Sequence, residues 1–272
     1  MRIAQITDSH LLGPGVLWKG RVEMAEKLQA AVARLNAIGP DLVVHTGDLV
    51  DGGGEAEYGT AAEILAALKP PLRLLPGNHD RRERMRAAFP RAEWTPGDHL
   101  QFAEDAGGLR MIGLDTVDPG RTAGRLCPDR LTWLADRLAG DRPALVFLHH
   151  PPCPMGLPHM DRFVFEGSAE TAAVLARAPV LRLACGHVHA AAERHWAGTL
   201  VAACPALGVQ IPPAADPGAP LGFTLEPAAI RLHDWSEDLG LTVKTVPVAD
   251  FPGPYPFETD PAADFDRTPH AD

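Results

Sequence analysis

The sequence predicts an α/β protein in which two mixed β-sheets pack face to face, with helices on their outer sides. Two observations support this fold class. Short apolar runs alternate with segments of helical periodicity from the N-terminus to about residue 190. Beyond Glu193 the pattern changes to short strands and turns, which favours antiparallel pairing. Strand–helix alternation followed by antiparallel strands therefore indicates mixed sheets.

Length and composition are those of one large domain or of a domain with an appendage. The chain has 272 residues, of which 46% are hydrophobic and 22% are charged. Its formal charge of −10 argues against a nucleic acid polymer as partner. No apolar run approaches the roughly 20 residues that would cross a bilayer, so no membrane partner is expected. The N-terminus resembles a strand rather than a signal peptide, and we therefore expect a cytoplasmic protein.

The four cysteines are widely spaced and form no C-x-x-C pair. This spacing matches neither a zinc ribbon nor a disulfide framework. It predicts buried small side chains instead.

The first part of the chain contains three predicted strands, each followed by a polar turn and then a helix. Strands are predicted at 2–7, 41–45 and 71–75, and helices at 21–38, about 58–68 and 81–89. Gly39-Pro40 and Pro70-Pro71 end the first two helices. The third strand leads into Gly77-Asn78-His79-Asp80, where we expect Asp80 to be the N-cap of the next helix, with Glu83 closing a capping box.

The remaining elements follow a second pattern of paired and buried strands. Strands are predicted at 99–104, 109–114, 144–148 and 180–184, and helices at 131–138 and 168–177; shorter strands follow at 199–202, 223–225, 230–235 and 241–246. We therefore expect residues 1–205 to form a core. Residues 206–272 would form a β-rich closing segment and a tail rich in Pro and Asp, packed on the core or at an oligomer interface. The tail, from residue 250, is either disordered or docked irregularly on a surface.

Five clusters of histidine, aspartate and asparagine follow predicted strands. They are Asp8 with His10, Asp48, Asn78 with His79, His149 with His150, and His187 with His189. An i, i+2 spacing in an extended segment places both side chains on one face. Because sheets of this kind place ligands beyond the carboxyl ends of their strands, the five clusters are expected to meet. Any one pair has a structural explanation, but five in the same context predict a shared site.

The residue types in these clusters predict the chemistry of the site. Imidazole, carboxylate and amide oxygen without thiolate suit Mn, Fe, Zn or Co at two centres. Two such ions about 3.5–4 Å apart form the clamp that is used for displacement at phosphorus. Their charge would attract a phosphodiester anion in spite of the negative charge of the whole chain.

Together these motifs resemble the calcineurin-like metallophosphoesterase superfamily, in the same order along residues 2–190. The matching motifs are Asp8-x-His10, Gly47-Asp48, Gly77-Asn78-His79-Asp80, His149 and Gly186-His187-x-His189. Further stretches resemble the branch that contains class III cyclic-nucleotide phosphodiesterases and bacterial glycerophosphodiesterases. These stretches are Asp115-Thr116, His149-His150-Pro151-Pro152, Met160-Asp161 and the tail around Phe251 to Phe257.

The resemblance implies a four-layer α/β-β/α sandwich that holds two divalent metal ions per chain. One ion would take Asp8, His10, Asp48 and His189, and the other would take Asp48, Asn78, His149 and His187, with Asp48 as the bridge. The implied catalytic residues are His79, Asp48 and Asn78, with His79 contacting the phosphate or protonating the leaving oxygen. The implied substrates are glycerophosphodiesters or 3′,5′-cyclic nucleotides, attacked by a hydroxide held between the metals. The resemblance also implies a homo-oligomer.

Two other functions stay open at this point. A phosphomonoesterase or protein phosphatase could use the same scaffold. A non-catalytic scaffold protein is less favoured, because all seven ligand positions and His79 are filled. One departure concerns substrate: the glycerophosphodiesterases carry a further substrate-contacting histidine that Ala206–Gln210 lacks. His159 could replace it, although a surface histidine is the simpler interpretation.

Several other polar residues have two interpretations. The arginines at 81, 82, 84 and 86 either form a solvated helix face or attract phosphate. Trp18 either stacks on a nucleobase or anchors its loop. His150 either orients a neighbouring ligand or is structural, and His45 is expected to pack inside a strand.

Overall fold

A computed structural model describes residues 1–92, 94–95, 97–213, 218 and 220–255. The described residues form eleven strands and five helices. The strands are β1 (Arg2–Ile6), β2 (Leu42–Thr46), β3 (Leu72–Leu75), β4 (Phe102–Ala106), β5 (Leu109–Leu114), β6 (Ala144–Leu148), β7 (Val180–Cys185), β8 (Ala192–Trp196), β9 (Thr199–Ala203), β10 (Ala229–Ser236) and β11 (Gly240–Pro247). The helices are α1 (Met24–Ile38), α2 (Glu55–Leu65), α3 (Arg82–Ala88), α4 (Pro128–Arg137) and α5 (Ser168–Leu175).

The strands form two mixed sheets. The first sheet has the order β11-β10-β1-β2-β3, and the second has the order β4-β5-β6-β7-β9-β8. In the first sheet β1, β2 and β3 are parallel, and β10 and β11 pair antiparallel. In the second sheet β5, β6, β7 and β9 are parallel, and β4 and β8 pair antiparallel at the two edges.

Three apolar clusters define four layers. The first cluster joins β1, β2 and β3 to α1, α2 and α3, with Leu28 and Tyr58 fully buried. The second joins the outer face of the other sheet to α4 and α5. The third lies between the sheets, where Val44 of β2 and Phe147 of β6 belong to the same cluster. The predicted α/β-β/α sandwich is therefore confirmed.

Most predicted elements agree with the structure, with two differences in the last third of the chain. Strand β8 was not predicted, because its exposed positions at this sheet edge give no apolar periodicity. The strand predicted at 223–225 is reduced to one bridge between Gln210 and Thr224. Strands β10 and β11 extend the first sheet beyond β1. The boundary at 205/206 stays a prediction, and Phe257 lies outside the described residues.

The parallel pairing brings several strand ends to one place. Ile6 pairs with His45, and Thr46 pairs with Leu75, so β1, β2 and β3 end at the same edge of the first sheet. The Gln5 side chain donates to the carbonyl of Cys185 at 3.1 Å and so connects the end of β7 to the first sheet. No helix in the described part of the chain is both long and apolar enough to span a membrane.

Candidate metal centre

The strand ends bring the side chains of the predicted clusters together. Their potential ligand atoms form four overlapping groups, each within 4.8 Å: Asp8–His10–His189, Asp8–Asp48–His149, His10–Asp48–His79 and His149–His150–His187. Asn78 is linked to the last of these groups through its Oδ1 atom, which lies 3.2 Å from Nε2 of His150. The five clusters therefore lie in one place, as the positions of the strands require.

Asp8, His10, Asp48 and His189, which we call the first group, lie close together at the ends of β1, β2 and β7. The Nε2 atoms of His10 and His189 are 3.0 Å apart. Oδ1 of Asp8 is 3.4 Å from Nε2 of His189. Oδ2 of Asp48 is 3.6 Å from Nε2 of His10. Both carboxylates are buried, so bulk water does not solvate their charges.

Asp48 also belongs to the second group, which comprises Asp48, Asn78, His149 and His187. Its Oδ2 atom lies 3.2 Å from Nε2 of His149. The ring centroids of His149 and His187 are 5.2 Å apart. One oxygen of Asp48 thus faces an imidazole of each group.

Hydrogen bonds from Nδ1 fix the direction of three imidazoles. His10 is bonded to Oδ1 of Asp51 at 3.0 Å. His149 and His189 are each bonded at 2.8 Å to a backbone carbonyl, of Thr46 and Val209 respectively. Since a carbonyl oxygen can only accept, Nδ1 of those two rings carries a proton, and Nε2 is the nitrogen left to offer a lone pair to a metal. The carboxylate of Asp51 favours the same tautomer for His10.

These lone pairs fit a metal site. If both rings are neutral, the bare Nε2 atoms of His10 and His189 repel at 3.0 Å, and a proton or a metal ion between them removes this repulsion. Nε2 of His149 is buried and has no hydrogen-bond partner among the described residues. An unpartnered buried acceptor is costly, and a coordinated cation removes that cost.

The electrostatics of the site also favour a bound cation. Burial raises the pKa of Asp48, but the positive charge that His149 carries when it is protonated outweighs burial, and the net pKa is lowered. Burial lowers the pKa of His10, but the carboxylates of Asp51 and Asp8 outweigh it and raise that pKa to about 10. The buried carboxylates therefore recruit positive charge, which metal ions supply when they displace the imidazole protons.

The backbone at the site is strained. Seven non-glycine residues in the described ranges have positive φ, and five of them belong to the two groups. These five are Asp8, His10, Asp48, His187 and His189. Since positive φ is unfavourable for side chains with a Cβ, and such strain concentrates at functional sites, the backbone conformation marks this region as functional.

Two glycines permit the close approach of the turns. A Cβ atom on Gly77 would overlap the side chain of Asp48, and one on Gly186 would overlap Oγ1 of Thr7. Asp8 Oδ2 accepts hydrogen bonds from this hydroxyl at 2.7 Å and from the amide of His187 at 3.0 Å. A side chain at either glycine would push a turn away from the cluster.

Sequence reasoning missed Asp51. Its carboxylate accepts from Nε1 of Trp18 at 3.2 Å as well as contacting His10, and its carbonyl accepts from Nδ1 of His79 at 2.6 Å. The available signal was its position three residues after Asp48, in the same turn. The hydrogen bond from Trp18 to Asp51 identifies Trp18 as an anchor of its loop. The indole ring of Trp18 also packs edge-on against Phe223.

The prediction for Asp80 was wrong. The N-cap of α3 is Arg81, and no side chain caps the helix. Asp80 is buried and accepts from the amides of Gly77 at 2.9 Å and Leu49 at 3.2 Å and from the hydroxyl of Tyr58 at 3.1 Å. Its carboxylate therefore joins the turn after β2 to the turn after β3. Because it already accepts these hydrogen bonds, it does not cap the first amides of α3.

Of the arginines at 81, 82, 84 and 86, all but Arg82 are exposed, as expected for a solvated helix face, but three of the four also bond to other segments of the chain. Arg82 makes two hydrogen bonds to the carboxylate of Asp115, at 2.6 and 2.8 Å. Arg84 donates to the carbonyl of Gly53, and Arg86 to that of Gly97. The helix is therefore fixed to the turn after β5 and to neighbouring loops.

Two further predictions concern histidines. His159 is buried, not a surface residue, and lies outside the four groups. His45 is fully buried, as predicted: its Nδ1 accepts from the amide of Gly47 at 3.3 Å, and its Nε2 lies 2.7 Å from Oγ of Ser9. His45 therefore supports the turn that carries Asp48.

The loop that lacks the additional histidine has a structural role. The Gln210 side chain closes it by donating to the carbonyl of Ala206 at 2.7 Å and accepting from the Ala206 amide at 3.1 Å. The closed loop presents the Val209 carbonyl to His189. It thus orients one member of the first group.

Two openings adjoin the cluster. A cleft of about 620 Å³ is bordered by Asn78, by the N-terminal part of α3 and by residues 117–120. A cavity of about 70 Å³ lies beside His187, lined mainly by the loop after β6. The His79 side chain is 38% exposed, whereas those of His10 and His149 are buried. A molecule that enters from the solvent would therefore reach His79 before these two imidazoles.

The two-sheet fold and the buried His/Asp cluster at its strand ends are those of a metal-dependent hydrolase. The sequence model of the calcineurin-like phosphoesterase family matches residues 1–191. The chain belongs to this family, which confirms the resemblance of its motifs. Calcineurin-like phosphoesterases use a dinuclear metal centre, and the cluster supplies candidate ligands for one.

The relatives and structural neighbours agree with this assignment. The probable glycerophosphodiester phosphodiesterase GpdQ of Arcobacter nitrofigilis is 35% identical over 266 residues, which cover 94% of this chain and 97% of that protein. The 3′,5′-cyclic adenosine monophosphate phosphodiesterase CpdA of Escherichia coli is 34% identical over 221 residues, which cover 78% of each chain. A dimetal phosphatase from Danio rerio is similar in fold, with a TM-score of 0.69 at 17% identity, covering 91% of this chain and 99% of that one.

Proposed function

We propose that this protein is a phosphodiesterase that binds two divalent metal ions and hydrolyses small phosphodiesters. The first group, Asp8, His10, Asp48 and His189, would hold one ion. The second group, Asp48, Asn78, His149 and His187, would hold the other. Mn, Fe, Zn and Co all suit these oxygen and nitrogen donors.

The observation that carries the proposal is the position of Asp48. Its Oδ2 atom lies 3.6 Å from Nε2 of His10 and 3.2 Å from Nε2 of His149. Those two nitrogens belong to different groups. A carboxylate oxygen placed between two sets of imidazole lone pairs suits a bridging ligand, which supports two neighbouring ions rather than one.

When bound, the two ions would supply Lewis-acid stabilisation of the phosphoryl oxygens and an activated water. The protein's own contribution is positioning. Asp48 Oδ1 accepts from the amide of His79 at 2.9 Å and fixes the turn. Nδ1 of His79 donates to the carbonyl of Asp51 at 2.6 Å, which leaves Nε2 to contact a substrate oxygen.

Hydrolysis breaks one P–O ester bond, transfers the oxygen of water to phosphorus and delivers a proton to the leaving alkoxide. We assign contact with the phosphate, or delivery of this proton, to Nε2 of His79 in its imidazolium form: Nδ1 stays bonded to the Asp51 carbonyl, and the Nε2 proton is the one that the alkoxide would receive. The exposure of His79 supports this role, because a substrate reaches it without displacing a buried ligand.

Small diesters suit the space beside the cluster. The cleft of about 620 Å³ next to Asn78 lies within the roughly 300–1,000 Å³ typical of small-molecule sites. It is large enough for the alcohol group of a glycerophosphodiester or a 3′,5′-cyclic nucleotide. The relatives named above act on such compounds, which supports the same substrate class for this chain.

The test is a substrate and metal panel. Cyclic AMP, glycerophosphoethanolamine, bis-p-nitrophenyl phosphate and a phosphomonoester would be compared after chelation and re-addition of Mn, Fe, Zn or Co. We expect metal-dependent hydrolysis, faster for a diester than for the monoester. Activity that survives chelation would contradict the metal proposal, and a preference for the monoester would assign the protein to the phosphomonoesterases.

We also propose a homo-oligomer, a dimer or higher. Among the described strands, β11 pairs only with β10, so its other edge is free for a partner strand. Analytical ultracentrifugation would test this, and a monomer at micromolar concentration would contradict it.

A further inference from the structure

A chain of hydrogen bonds runs from the turn after β5 to Asn78. The amide of His150 donates to Oγ1 of Thr116 at 3.3 Å, and the same Oγ1 atom lies 2.8 Å from Nδ1 of His150. Nε2 of His150 lies 3.2 Å from Oδ1 of Asn78. Thr116 is fully buried, and His150 nearly so.

Each proton in this chain has one consistent position. Oδ1 of Asn78 can only accept, so Nε2 of His150 carries a proton and donates to it. A neutral ring then leaves Nδ1 as an acceptor. The Thr116 hydroxyl, which accepts from the His150 amide, donates its own proton to Nδ1. The second lone pair of Asn78 Oδ1 stays available.

This arrangement distinguishes His150 from the imidazoles of the two groups. His149 and His189 carry their protons on Nδ1 and present a bare Nε2 atom. His150 has the opposite tautomer, so its Nε2 has no lone pair for a metal although the ring lies close to His149 and His187. The short distance from His150 to His149 and His187 would by itself suggest that His150 is a metal ligand.

We infer that Thr116 and His150 are positioning residues that aim the Asn78 amide oxygen at the metal of the second group. The Thr116 hydroxyl fixes the tautomer of His150, and the His150 ring then fixes the rotation of the Asn78 amide. Without that donor the amide could turn its nitrogen toward the metal, and nitrogen of an amide has no free lone pair to offer. The inference rests on the proposed function, because it takes Asn78 as a metal ligand.

The surroundings make this chain rigid. A Cβ atom on Gly124 would lie 2.5 Å from Cβ and Cγ of His150, so the backbone of residue 124 packs directly on the ring. The amide of Arg125 donates to the Thr116 carbonyl at 2.9 Å, which holds this segment in place. The preceding residue, Asp115, is paired with Arg82 of α3. The Thr116 end of this chain of hydrogen bonds is therefore held by the Gly124-Arg125 segment and by α3, the helix that begins shortly after Asn78.

The test compares Thr116→Val with Thr116→Ser. Valine keeps the shape of threonine but removes the hydroxyl, whereas serine keeps the hydroxyl. Calorimetric titration of metal-free protein with Mn should show that Thr116→Val weakens one of the two ions by roughly 10- to 100-fold, as loss of an outer-shell partner does. The other ion should bind as in the wild type, and Thr116→Ser should retain both affinities.

A second readout needs neither metal nor activity. In metal-free protein labelled with ¹⁵N-histidine, the ring signal that disappears in His150→Gln should report the Nε2–H tautomer, and Thr116→Val should shift it toward Nδ1–H. A wild-type His150 in the Nδ1–H form would overturn the inference, even if Thr116→Val failed to fold. Folded Thr116→Val protein with unchanged affinity for both ions would also overturn it.

Failure of the proposed function has a different signature. Wild-type protein that binds fewer than two Mn ions and hydrolyses no diester would remove the role of Asn78 as a ligand. If the wild type binds two ions and Thr116→Val also binds both normally, the positioning role of Thr116 and His150 is rejected, while the proposed function stands.

Discussion

The two ligand groups that share Asp48 are held by different contacts. The first group has two carboxylates, those of Asp8 and Asp48, and its His10 is bonded to a third, that of Asp51. The second group has only the Asp48 carboxylate, and it includes the neutral amide of Asn78. That amide is positioned by a histidine rather than by a charge.

This difference leads us to expect unequal metal affinities. Each additional carboxylate strengthens the attraction for a divalent cation in a buried, low-dielectric site. A carboxylate partner also raises the basicity of a ligating histidine. The first group should therefore keep its ion at concentrations of free metal at which the second group has lost its own.

The largest expected effect is that of Asp48→Asn, because this residue alone belongs to both groups. Loss of its charge leaves one carboxylate for two ions, and we expect neither ion to be retained and activity to fall to background. Elemental analysis after gel filtration and a diester assay would measure this. Circular dichroism would serve as the folding control, and a variant that kept both ions would show that Asp48 is not shared.

His79→Ala should be next in size, and it should spare both groups. His79 is more exposed than the buried His10 and His149 and is assigned to substrate rather than to metal. Loss of a general acid or of a phosphate contact typically costs about 10²–10⁴-fold in kcat. Metal content should stay at two ions per chain. An emptied metal site would instead make His79 a ligand and contradict the assignment.

Asn78→Ala tests the comparison directly. It removes a neutral ligand from the second group and leaves both carboxylates of the first. We expect one ion to bind normally and the other to bind more weakly, by more than the roughly 10- to 100-fold that an outer-shell partner contributes. Part of the activity should return at high Mn concentration.

The matched variant for Asn78→Ala is His189→Ala, which removes a ligand from the first group only. Mn titrations of the two variants should lose different ions. If each variant weakened both ions equally, the two groups would behave as one site, and the distinction between them would be wrong.

Residues at strand ends could be predicted because the signal is local. An apolar run followed by a polar turn marks the carboxyl end of a strand, and parallel pairing then brings such ends together. Asp8, Asp48 and His149 were identified in this way, and the structure places their ligand atoms within 4.8 Å of one another.

Other features depend on residues distant in sequence, and no local pattern reports them. Strand β10 pairs with β1, where Ile3 lies opposite His233. Asp80 is bound by the amides of Gly77 and Leu49 and the hydroxyl of Tyr58, so its expected capping role is absent. The tertiary contacts decide the role of this carboxylate, whereas the sequence shows only a residue type that is common at helix starts.

Asp51→Asn should have the smallest effect, and it tests the first group as Asn78→Ala tests the second. Asparagine keeps an oxygen for Nδ1 of His10 but removes the charge that makes this imidazole a stronger ligand. We expect the first-group ion to bind roughly 10- to 100-fold more weakly, while the affinity for the second-group ion is unchanged.

Trp18→Phe is the matched control, because it removes the other donor to the same carboxylate without altering the charge. Mn titration of both variants would measure the difference. Equal weakening in Asp51→Asn and Trp18→Phe would mean that loop anchoring, not the charge beside His10, sets the affinity of the first group.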